Sequence, residues 1–273
     1  MELLLTKAVI ILITVFSLTY IAENISVKIS GIIAGLPIAS TLILYFFSLE
    51  YGIEYMRQTI PFGINGLLGF LGFCISYYIG TFFIGRLQIF ICLFLSCFSY
   101  LFIMYLSSLF IPNIVITPIV VFSIVLIPIL YFSKKEDYIL KNRKKQTTKD
   151  LIIRVLLTLF IFIIITNLPK FTPASIAGFF SSFPVILLPL LLIIHINYSN
   201  LEARTLVKNS FINIPCVIVN SLIIYISYPI FGIYLGTIFA LFVTFIFVFL
   251  QIRLLSYYKK SGYRNTLSKE QVK

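Results

Sequence analysis

The sequence predicts an all-α, polytopic membrane protein: a transmembrane helical bundle of about nine helices, with an inverted-topology internal repeat of four helices, a linker helix and four more. Of the 273 residues, 60% are hydrophobic and 11% are charged, and the mean hydropathy is +1.08. No soluble core could bury so much apolar surface, so lipid must be the solvent for most of it. The apolar residues form continuous runs, unlike the alternating pattern of membrane strands, and the two halves of the chain carry related segments.

Nine apolar runs approach the roughly twenty residues that a membrane-spanning helix requires. The third and fourth runs are separated only by residues 84–86, and Pro118 and Pro128 interrupt the fifth. The predicted spans are Leu4–Ala22, Ile29–Ser48, Ile60–Phe83, Leu87–Phe110, Ile114–Phe132, Leu151–Leu168, Ile176–Ile196, Ser210–Tyr228 and Ile230–Leu255.

The stretch from Lys7 to Pro37 returns at Arg154 to Pro184 with a constant offset of 147 residues (154 − 7 = 147) and no gap. Within it, Gly31-Ile-Ile-Ala-Gly-Leu-Pro37 corresponds to Gly178-Phe-Phe-Ser-Ser-Phe-Pro184. Internal duplication of a membrane domain is a common plan of secondary transporters. The duplication therefore favours transport as the class of function.

The segment Lys134–Asp150 separates the copies and carries seven basic residues against three acidic ones. The positive-inside rule places it, and the basic C-terminus, in the cytoplasm. The loop Glu202–Lys208 then also faces the cytoplasm, whereas the N-terminus and the loop Glu50–Thr59 lie outside. The first and sixth helices are five crossings apart, so the two copies run in opposite directions through the membrane.

These assignments divide the chain into four parts. Residues 1–110 form the first repeat, 111–150 the linker helix and basic loop, 151–258 the second, inverted repeat, and 259–273 a basic tail. The predicted location is a membrane that the chain crosses several times, with the 134–150 loop and the C-terminus in the cytoplasm.

The net charge of +12 follows from basic residues clustered at the membrane flanks, so it indicates topology and not nucleic-acid binding. The sequence contains no His/Asp/Ser set, nucleotide-binding loop or metal-ligand cluster. We therefore expect no enzyme, catalytic residue, cofactor, metal or nucleic-acid partner. The expected partners are the lipid bilayer and a small-molecule substrate, and a homodimer is left open.

Three features of the first half carry a family resemblance: Lys7, Ala34-Gly-Leu-Pro37, and the run Ser48-Leu-Glu-Tyr-Gly-Ile-Glu54-Tyr-Met-Arg57-Gln-Thr-Ile60. In these the chain resembles the GlpM-like family of small bacterial inner-membrane proteins. The likeness covers about residues 7–110. It is fainter over 154–255, where Asn200-Leu-Glu202-Ala-Arg204-Thr stands in for the run and its glycine is missing.

Short members of that family are counted among dual-topology proteins, which insert in both orientations and are thought to pair antiparallel. The resemblance thus implies a tandem fusion of two such units with an odd helix inserted. The family is associated with exopolysaccharide (alginate) production, which is a phenotype and does not identify a substrate.

The repeated Gly/Pro segments are the first candidate site. Small residues four apart allow helices to approach closely, and a proline removes a backbone donor and frees the carbonyl one turn earlier. Paired interruptions at equivalent places indicate a transporter's central site, although tight packing around a kink would leave the same pattern. The candidate pathway residues are Gly31, Ala34, Gly35, Pro37, Gly178, Ser181, Ser182 and Pro184.

Charged residues supply the remaining candidates. Lys7 and Arg154 are cations at equivalent positions near helix ends, where snorkelling to the interface is the simpler interpretation. His195 is a candidate for proton coupling, with simple solvation as the alternative. The candidate gate or vestibule charges, which could equally belong to solvated turns, are Glu50, Glu54 and Arg57 in the first half and Glu202, Arg204 and Lys208 in the second.

Two functions fit these observations. The first is a secondary transporter or exporter of a small neutral, amphipathic or lipid-like solute, because few ionisable groups lie inside the membrane. The second is a non-transporting scaffold for an envelope polysaccharide or lipid assembly. Transport predicts a polar, water-accessible cavity between the halves, whereas a scaffold predicts a dry, apolar seam.

Overall fold

A computed structural model describes residues 2–23, 32, 35–83, 87–135 and 147–270. This part of the chain contains ten α-helices, one short 3-10 turn at Leu168–Lys170, and no strand. The helices are α1 Glu2–Glu23, α2 Ile38–Tyr51, α3 Ile53–Gly80, α4 Gln88–Ser108, α5 Ile116–Ser133, α6 Thr148–Asn167, α7 Ala174–Phe180, α8 Leu187–Asn197, α9 Asn200–Phe211 and α10 Ile214–Glu270.

Five helical segments of the described chain are long and apolar enough to cross a membrane, as expected of an integral, multi-pass membrane protein. Large apolar side chains also cover the outer surface. On α4, for example, Phe94, Phe98 and Phe102 stack on one another and are half or more exposed, as suits a surface that faces lipid. The five segments are Ile53–Gly80, Gln88–Ser108, Ile116–Ser133, Thr148–Lys170 and Asn200–Tyr257.

Helix α10 is divided into two arms by Gly232. Its backbone has φ 74 and ψ 174, a conformation that favours glycine because it has no Cβ. Pro229 lies three residues earlier. The break falls beside the predicted boundary between the eighth and ninth spans. The first arm starts at Ile214, and the second arm follows Gly232.

Helix α3 lies at the centre of the fold, where it packs against α2, α4, α5, α7, α9 and α10. Glycines along α3 allow these close approaches. Gly63 and Gly66 lie against α7, and Gly69 and Gly72 lie against α4. The linker helix α5 packs on both α3 and α10, which connects it with both halves of the chain.

The predicted loops Glu50–Thr59 and Glu202–Lys208 are helical, so these two predictions were wrong. Helix α2 ends at Tyr51 and α3 begins at Ile53, seven residues before the predicted start. Gly52, with φ 88, makes the turn between them. The equivalent turn in the second half is at Ser199, whose hydroxyl accepts from the Glu202 backbone N–H and caps α9. Polar residues lowered the local hydropathy, but they are compatible with helices that start near the membrane face.

The second and seventh predicted spans are not continuous helices. In the second half, residues 181–186 separate α7 from α8. In the first half, residues 35–37 are non-helical and α2 begins at Ile38. The predicted kinks at Pro37 and Pro184 are therefore breaks. The part of the second span at residues 29–31 and 33–34 is outside the described residues.

Candidate functional site

The two helix breaks are built alike, because the carbonyl of each proline accepts the backbone N–H four residues later, at the start of the helix that follows. The Pro37 carbonyl accepts from the Thr41 N–H at 2.8 Å and from the hydroxyls of Ser40 at 3.0 Å and Thr41 at 2.6 Å. The Pro184 carbonyl accepts from the Leu188 N–H at 2.9 Å. Each break thus presents irregular backbone next to the start of a helix, deep within apolar sequence.

Each break packs against the opposite half of the chain. A Cβ on Gly35 would collide with the main-chain carbonyl of Ser210. In turn, the Ser182 hydroxyl donates a hydrogen bond of 2.5 Å to the Gly63 carbonyl. Gly35 and Ser182 are separated by 147 positions, and so are Gly63 and Ser210. The two contacts are therefore equivalent under the sequence offset.

A second pair of contacts obeys the same offset. The Asn213 amide donates to the Ile32 carbonyl at 2.5 Å. At the equivalent positions, a Cβ on Gly66 would lie 2.7 Å from the Phe179 carbonyl oxygen. In one contact the Asn213 side chain reaches the carbonyl of the other half. In the equivalent contact Gly66 has no side chain, and the Phe179 carbonyl accepts from the Tyr100 hydroxyl at 2.8 Å instead.

A third pair shows the direction of the central helices. The guanidinium carbon of Arg57 lies 4.3 Å from the centre of the Tyr225 ring, and that of Arg204 lies 5.4 Å from the centre of the Tyr78 ring. These pairs are again related by 147 positions. The start of α3 therefore meets the end of the first arm of α10, and the end of α3 meets the start of α9. Helix α3 therefore runs antiparallel to residues 200–227, which lie 147 positions later in the sequence.

A cavity of about 40 Å³ lies between the two breaks. Since a water molecule needs about 10–15 Å³ of such space, the cavity has room for a few waters and is too small for a solute. Its lining combines apolar side chains with three serine hydroxyls, each of which donates to a main-chain carbonyl. The lining residues are Gly35, Leu36, Ala39, Ser40, Leu67, Phe70, Ser181, Ser182, Phe183, Pro184, Val185, Ile186, Leu187 and Val217.

Four of the predicted pathway residues line this cavity: Gly35, Ser181, Ser182 and Pro184. Pro37 and Gly178 are buried beside it and are not part of the lining. A Cβ on Gly178 would collide with the main-chain carbonyl of Thr59 on α3. Gly31 and Ala34 lie outside the described residues.

The paired cations lie inside the protein. Lys7 is 3% exposed and forms an ion pair with Glu50 on α2, and Arg154 is 1% exposed. Their interpretation as snorkelling anchors was therefore wrong. A buried cation requires a partner, and Lys7 finds one within its own half.

The gate charges do not form two similar clusters. Glu54 and Arg57 pair at 3.4 Å on the surface of α3, since residues three apart on a helix are neighbours. In the second half, Glu202 is fully buried, whereas the Lys208 ammonium donates to the Lys135 carbonyl at 2.7 Å. The solvated-turn interpretation was wrong for Glu202 and Lys208.

The third charge of the second half, Arg204, is fixed to the C-terminal end of α3. Its Nε donates to the Thr81 hydroxyl at 2.9 Å and its Nη2 donates to the Thr81 carbonyl at 3.2 Å. Its guanidinium carbon also lies 3.6 Å from the centre of the Phe82 ring. Arg204 therefore joins the two halves at this face.

His195 is buried, so the alternative of simple solvation was wrong, whereas proton coupling stays a prediction. Its Nδ1 lies 2.8 Å from the Tyr77 hydroxyl and its Nε2 lies 3.5 Å from the Gln88 Oε1. The Gln88 amide nitrogen donates to the carbonyls of Thr81 and Phe83, which turns its oxygen toward His195. This arrangement fits a neutral imidazole that carries its proton on Nε2 and accepts from Tyr77 at Nδ1.

Sequence reasoning missed the residues that join the halves, chiefly Gly63, Gly66, Tyr78, Asn213 and Tyr225. A signal for some of them was present. Glycines recur every third residue from position 63 to 72 of α3, a pattern of close helix packing. Extending the offset of 147 past Pro184 also pairs Arg57 with Arg204 and Tyr78 with Tyr225.

A second, larger space of about 510 Å³ lies between α3, α4 and α5. It is lined mostly by apolar side chains, and Asn65, Ser107, Asn113 and Thr117 supply its polar groups. Several of its walls, including Phe110, are largely exposed on the outer surface. This space therefore lies to one side of the seam between the two halves.

No three His, Cys, Asp or Glu side chains in the described part of the chain come together to hold a metal ion. Comparisons with protein-family models, with curated proteins and with solved structures gave no match. What this molecule does is therefore inferred from its own residues and geometry.

Proposed function

We propose that this chain is a secondary transporter or exporter of a small neutral, amphipathic or lipid-like solute, built as an inverted repeat around the cavity between its two helix breaks. The observation that carries the proposal is the lining of that cavity. Its walls come from both halves at equivalent positions, 147 residues apart: Gly35 with Ser182, Leu36 with Phe183, Ala39 with Ile186, Ser40 with Leu187, and Phe70 with Val217. Broken helices that meet between two repeats are the usual site of transported solutes.

The antiparallel crossing of α3 with its equivalent supports an inverted arrangement. Arg57 and Tyr78 are 21 residues apart on α3, which spans about 32 Å at 1.5 Å per residue. This length matches the hydrocarbon thickness of a bilayer, about 30 Å. Leu67 and Phe70, which line the cavity, lie midway. The proposed site would thus lie near the membrane midplane, with one arginine contact at each face.

Two contacts between helix ends agree with the topology inferred from charge. Lys208 bonds to Lys135 at the start of the basic linker, and Arg204 bonds to Thr81. The positive-inside rule places all four residues on the cytoplasmic side. We therefore assign the Arg204 face to the cytoplasm of a bacterial inner membrane. A tandem fusion of two GlpM-like units would give such an arrangement.

The lining points to an uncharged solute. Among the described residues, no ionisable side chain lines the cavity, and the ion pair of Lys7 and Glu50 joins α1 with α2. A charged solute would have no counter-charge there, and burying a charge without a partner is costly. The cavity of about 40 Å³ holds only a few waters, so the passage of a solute requires the breaks to move apart.

A non-transporting scaffold is the second candidate. The observation that favours it is the same small volume, because about 40 Å³ holds only a few waters and the surrounding seam is packed with apolar side chains. A scaffold needs no larger space, whereas a transporter must open one.

The test is a solute screen in proteoliposomes with a cavity-filling variant. Ala39→Phe places a large side chain in the cavity. The matched control is Val9→Phe on the outer surface of α1, where Val9 is 46% exposed. We expect uptake of one class of neutral solute by the parent and the control, and no uptake by Ala39→Phe. Absence of uptake for every solute would favour the scaffold. Equal uptake by all three proteins would contradict a solute pathway through this cavity.

A further inference from the structure

Two contacts close the seam between the halves, one at each end of α3. The Arg57 clasp consists of Arg57 on α3 and Tyr225 on α10. The Arg204 clasp consists of Arg204 on α9 with Tyr78, Thr81 and Phe82 at the end of α3. The arginines are equivalent under the offset of 147 positions, and so are Tyr225 and Tyr78. Because they lie at the two ends of one antiparallel crossing, they stand between the central cavity and the two membrane faces.

The clasps differ in the bonds they make across the seam. Arg204 donates two hydrogen bonds to Thr81 and lies 3.6 Å from the centre of the Phe82 ring, in addition to its contact with Tyr78. Arg57 has its 4.3 Å contact with the Tyr225 ring. Its ion pair with Glu54 lies within α3 and does not cross the seam.

The Nε atoms of the two arginines make the contrast direct. The Arg204 Nε donates to the Thr81 hydroxyl at 2.9 Å. The Arg57 Nε is buried and has no hydrogen-bond partner among the described residues. Leaving a buried donor unpaired destabilises the closed contact, and the cost is larger for a charged group. Opening the Arg57 clasp would expose this N–H to water, whereas opening the Arg204 clasp breaks bonds that are already made.

Neighbouring contacts reinforce the Arg204 clasp. The Asn200 amide donates to the Thr81 carbonyl at 3.4 Å, and His195 is bonded to the Tyr77 hydroxyl at 2.8 Å. Both bonds join the second half to the end of α3. On the other side of the cavity, the Asn220 amide donates to the Thr41 hydroxyl at 2.8 Å, one turn from the lining residue Val217. The Tyr45 and Tyr234 side chains also bond there, between α2 and the second arm of α10, but neither bond involves Arg57.

We infer that the two clasps are unequal gates of the central cavity, and that the Arg57 clasp opens first, so that the cavity is reached more readily from the Arg57 face than from the Arg204 face. Release of the Arg204 clasp is then the step that opens the cavity to the opposite face of the membrane. This inference rests on the proposed function, because it describes how access to the same cavity is controlled.

The test is labelling of an Ala39→Cys variant with a membrane-impermeant thiol reagent, applied separately to right-side-out and inverted vesicles. Ala39 lines the cavity and is half-buried. The parent chain gives the background, since three of its four cysteines are buried and Cys97 is half-buried. Glu54→Cys marks the Arg57 face. Lys149→Cys marks the Arg204 face, because the neighbouring Asp150 is bonded to Asn197 beside α9.

We expect the thiol of the Ala39→Cys variant to be labelled faster from the Arg57 face by about tenfold or more, the ratio that one hydrogen bond to a charged group supports. Adding Arg204→Ala should raise labelling from the Arg204 face, whereas adding Arg57→Ala should change it little. Thr81→Val, which removes one acceptor and keeps the side-chain shape, should act like a weaker Arg204→Ala and covers the case in which that variant does not fold.

Two results would overturn the inference. Labelling at equal rates from both faces, or faster labelling from the Arg204 face, contradicts the order of opening and leaves the proposed transport intact. Labelling from neither face in any folded variant would remove the accessible cavity, and with it both the proposed function and the gates.

Discussion

The Ser182 hydroxyl donates a hydrogen bond of 2.5 Å to the main-chain carbonyl of Gly63, and this contact recurs with its parts exchanged. At the equivalent positions a glycine, Gly35, lies in the break, and a serine, Ser210, lies on the partner helix. The approach of break to helix is kept although the two residue types have changed places. At these two pairs of positions, the close approach of the main chains is kept while the side chains differ.

The glycines of α3 that face the opposite half are expected to tolerate no side chain. In Gly66→Ala, the new Cβ would lie 2.7 Å from the Phe179 carbonyl oxygen, a main-chain atom that cannot move alone. We expect destabilisation of about 1–3 kcal/mol, the usual cost of overpacking. The measurement is the midpoint of thermal aggregation in detergent.

Gly72→Ala is the matched control on the same helix. Its Cβ would meet the end of the flexible Ile103 side chain, which can turn away, and the Ser99 hydroxyl at 2.9 Å. Both variants gain the helix propensity of alanine, worth up to about 1 kcal/mol. Equal midpoints for the two variants would contradict the close approach of α3 and α7.

The buried ion pair of Lys7 and Glu50 gives a second prediction. Lys7→Met leaves the Glu50 carboxylate buried without its cation, which is expected to cost about 3–5 kcal/mol. The double variant Lys7→Met/Glu50→Gln removes the charge as well and should recover most of the loss. The yield of monodisperse protein and its thermal midpoint in detergent are the measurements.

The surface pair of the same half provides the comparison. Glu54 is 74% exposed where it pairs with Arg57, so Glu54→Gln should change stability by less than about 1 kcal/mol. Equal losses of stability in Glu54→Gln and Lys7→Met would contradict the larger contribution expected of the buried ion pair.

The repeated Gly/Pro segments predicted the places of the breaks at Pro37 and Pro184. Proline alone is not sufficient, since Pro61 and Pro128 lie inside the continuous helices α3 and α5, although each removes one backbone donor. The partners of those breaks could not be predicted in the same way. Gly63 and Asn213 are distant in sequence from the residues they contact, and hydropathy carries no information about which helices meet.

The start of α3 and the existence of α9 show a different limit. The stretch from Glu202 to Lys208 is too polar for a hydropathy criterion, yet it forms a largely buried helix. The sequence did contain a local signal, since Ser199-x-x-Glu202 has the pattern of a capping box. Capping residues report the start of a helix whether or not the helix is apolar, so they would have corrected the boundary.

The proposed inverted repeat predicts the sides of the membrane that topology fusions would report. A reporter fused after Tyr51, beside the turn at Gly52, and one fused after Asn200, beside the turn at Ser199, should lie on opposite sides of the membrane. A fusion after Lys135 should agree with the Asn200 fusion, because Lys208 bonds to the Lys135 carbonyl. The same side for Tyr51 and Asn200 would remove the inverted repeat.

The prolines of the two breaks separate transport from packing. Pro184→Ala and Pro37→Ala each restore a backbone N–H that can bond to the carbonyl one turn earlier, which favours a continuous helix across the break. We expect both variants to be produced and folded, as judged by gel filtration in detergent, and to lose solute uptake in proteoliposomes. Pro184→Ala should have the larger effect on uptake, since Pro184 lines the cavity and Pro37 does not. Normal uptake in the folded variants, or loss of the folded protein in both, would instead assign the prolines to helix packing.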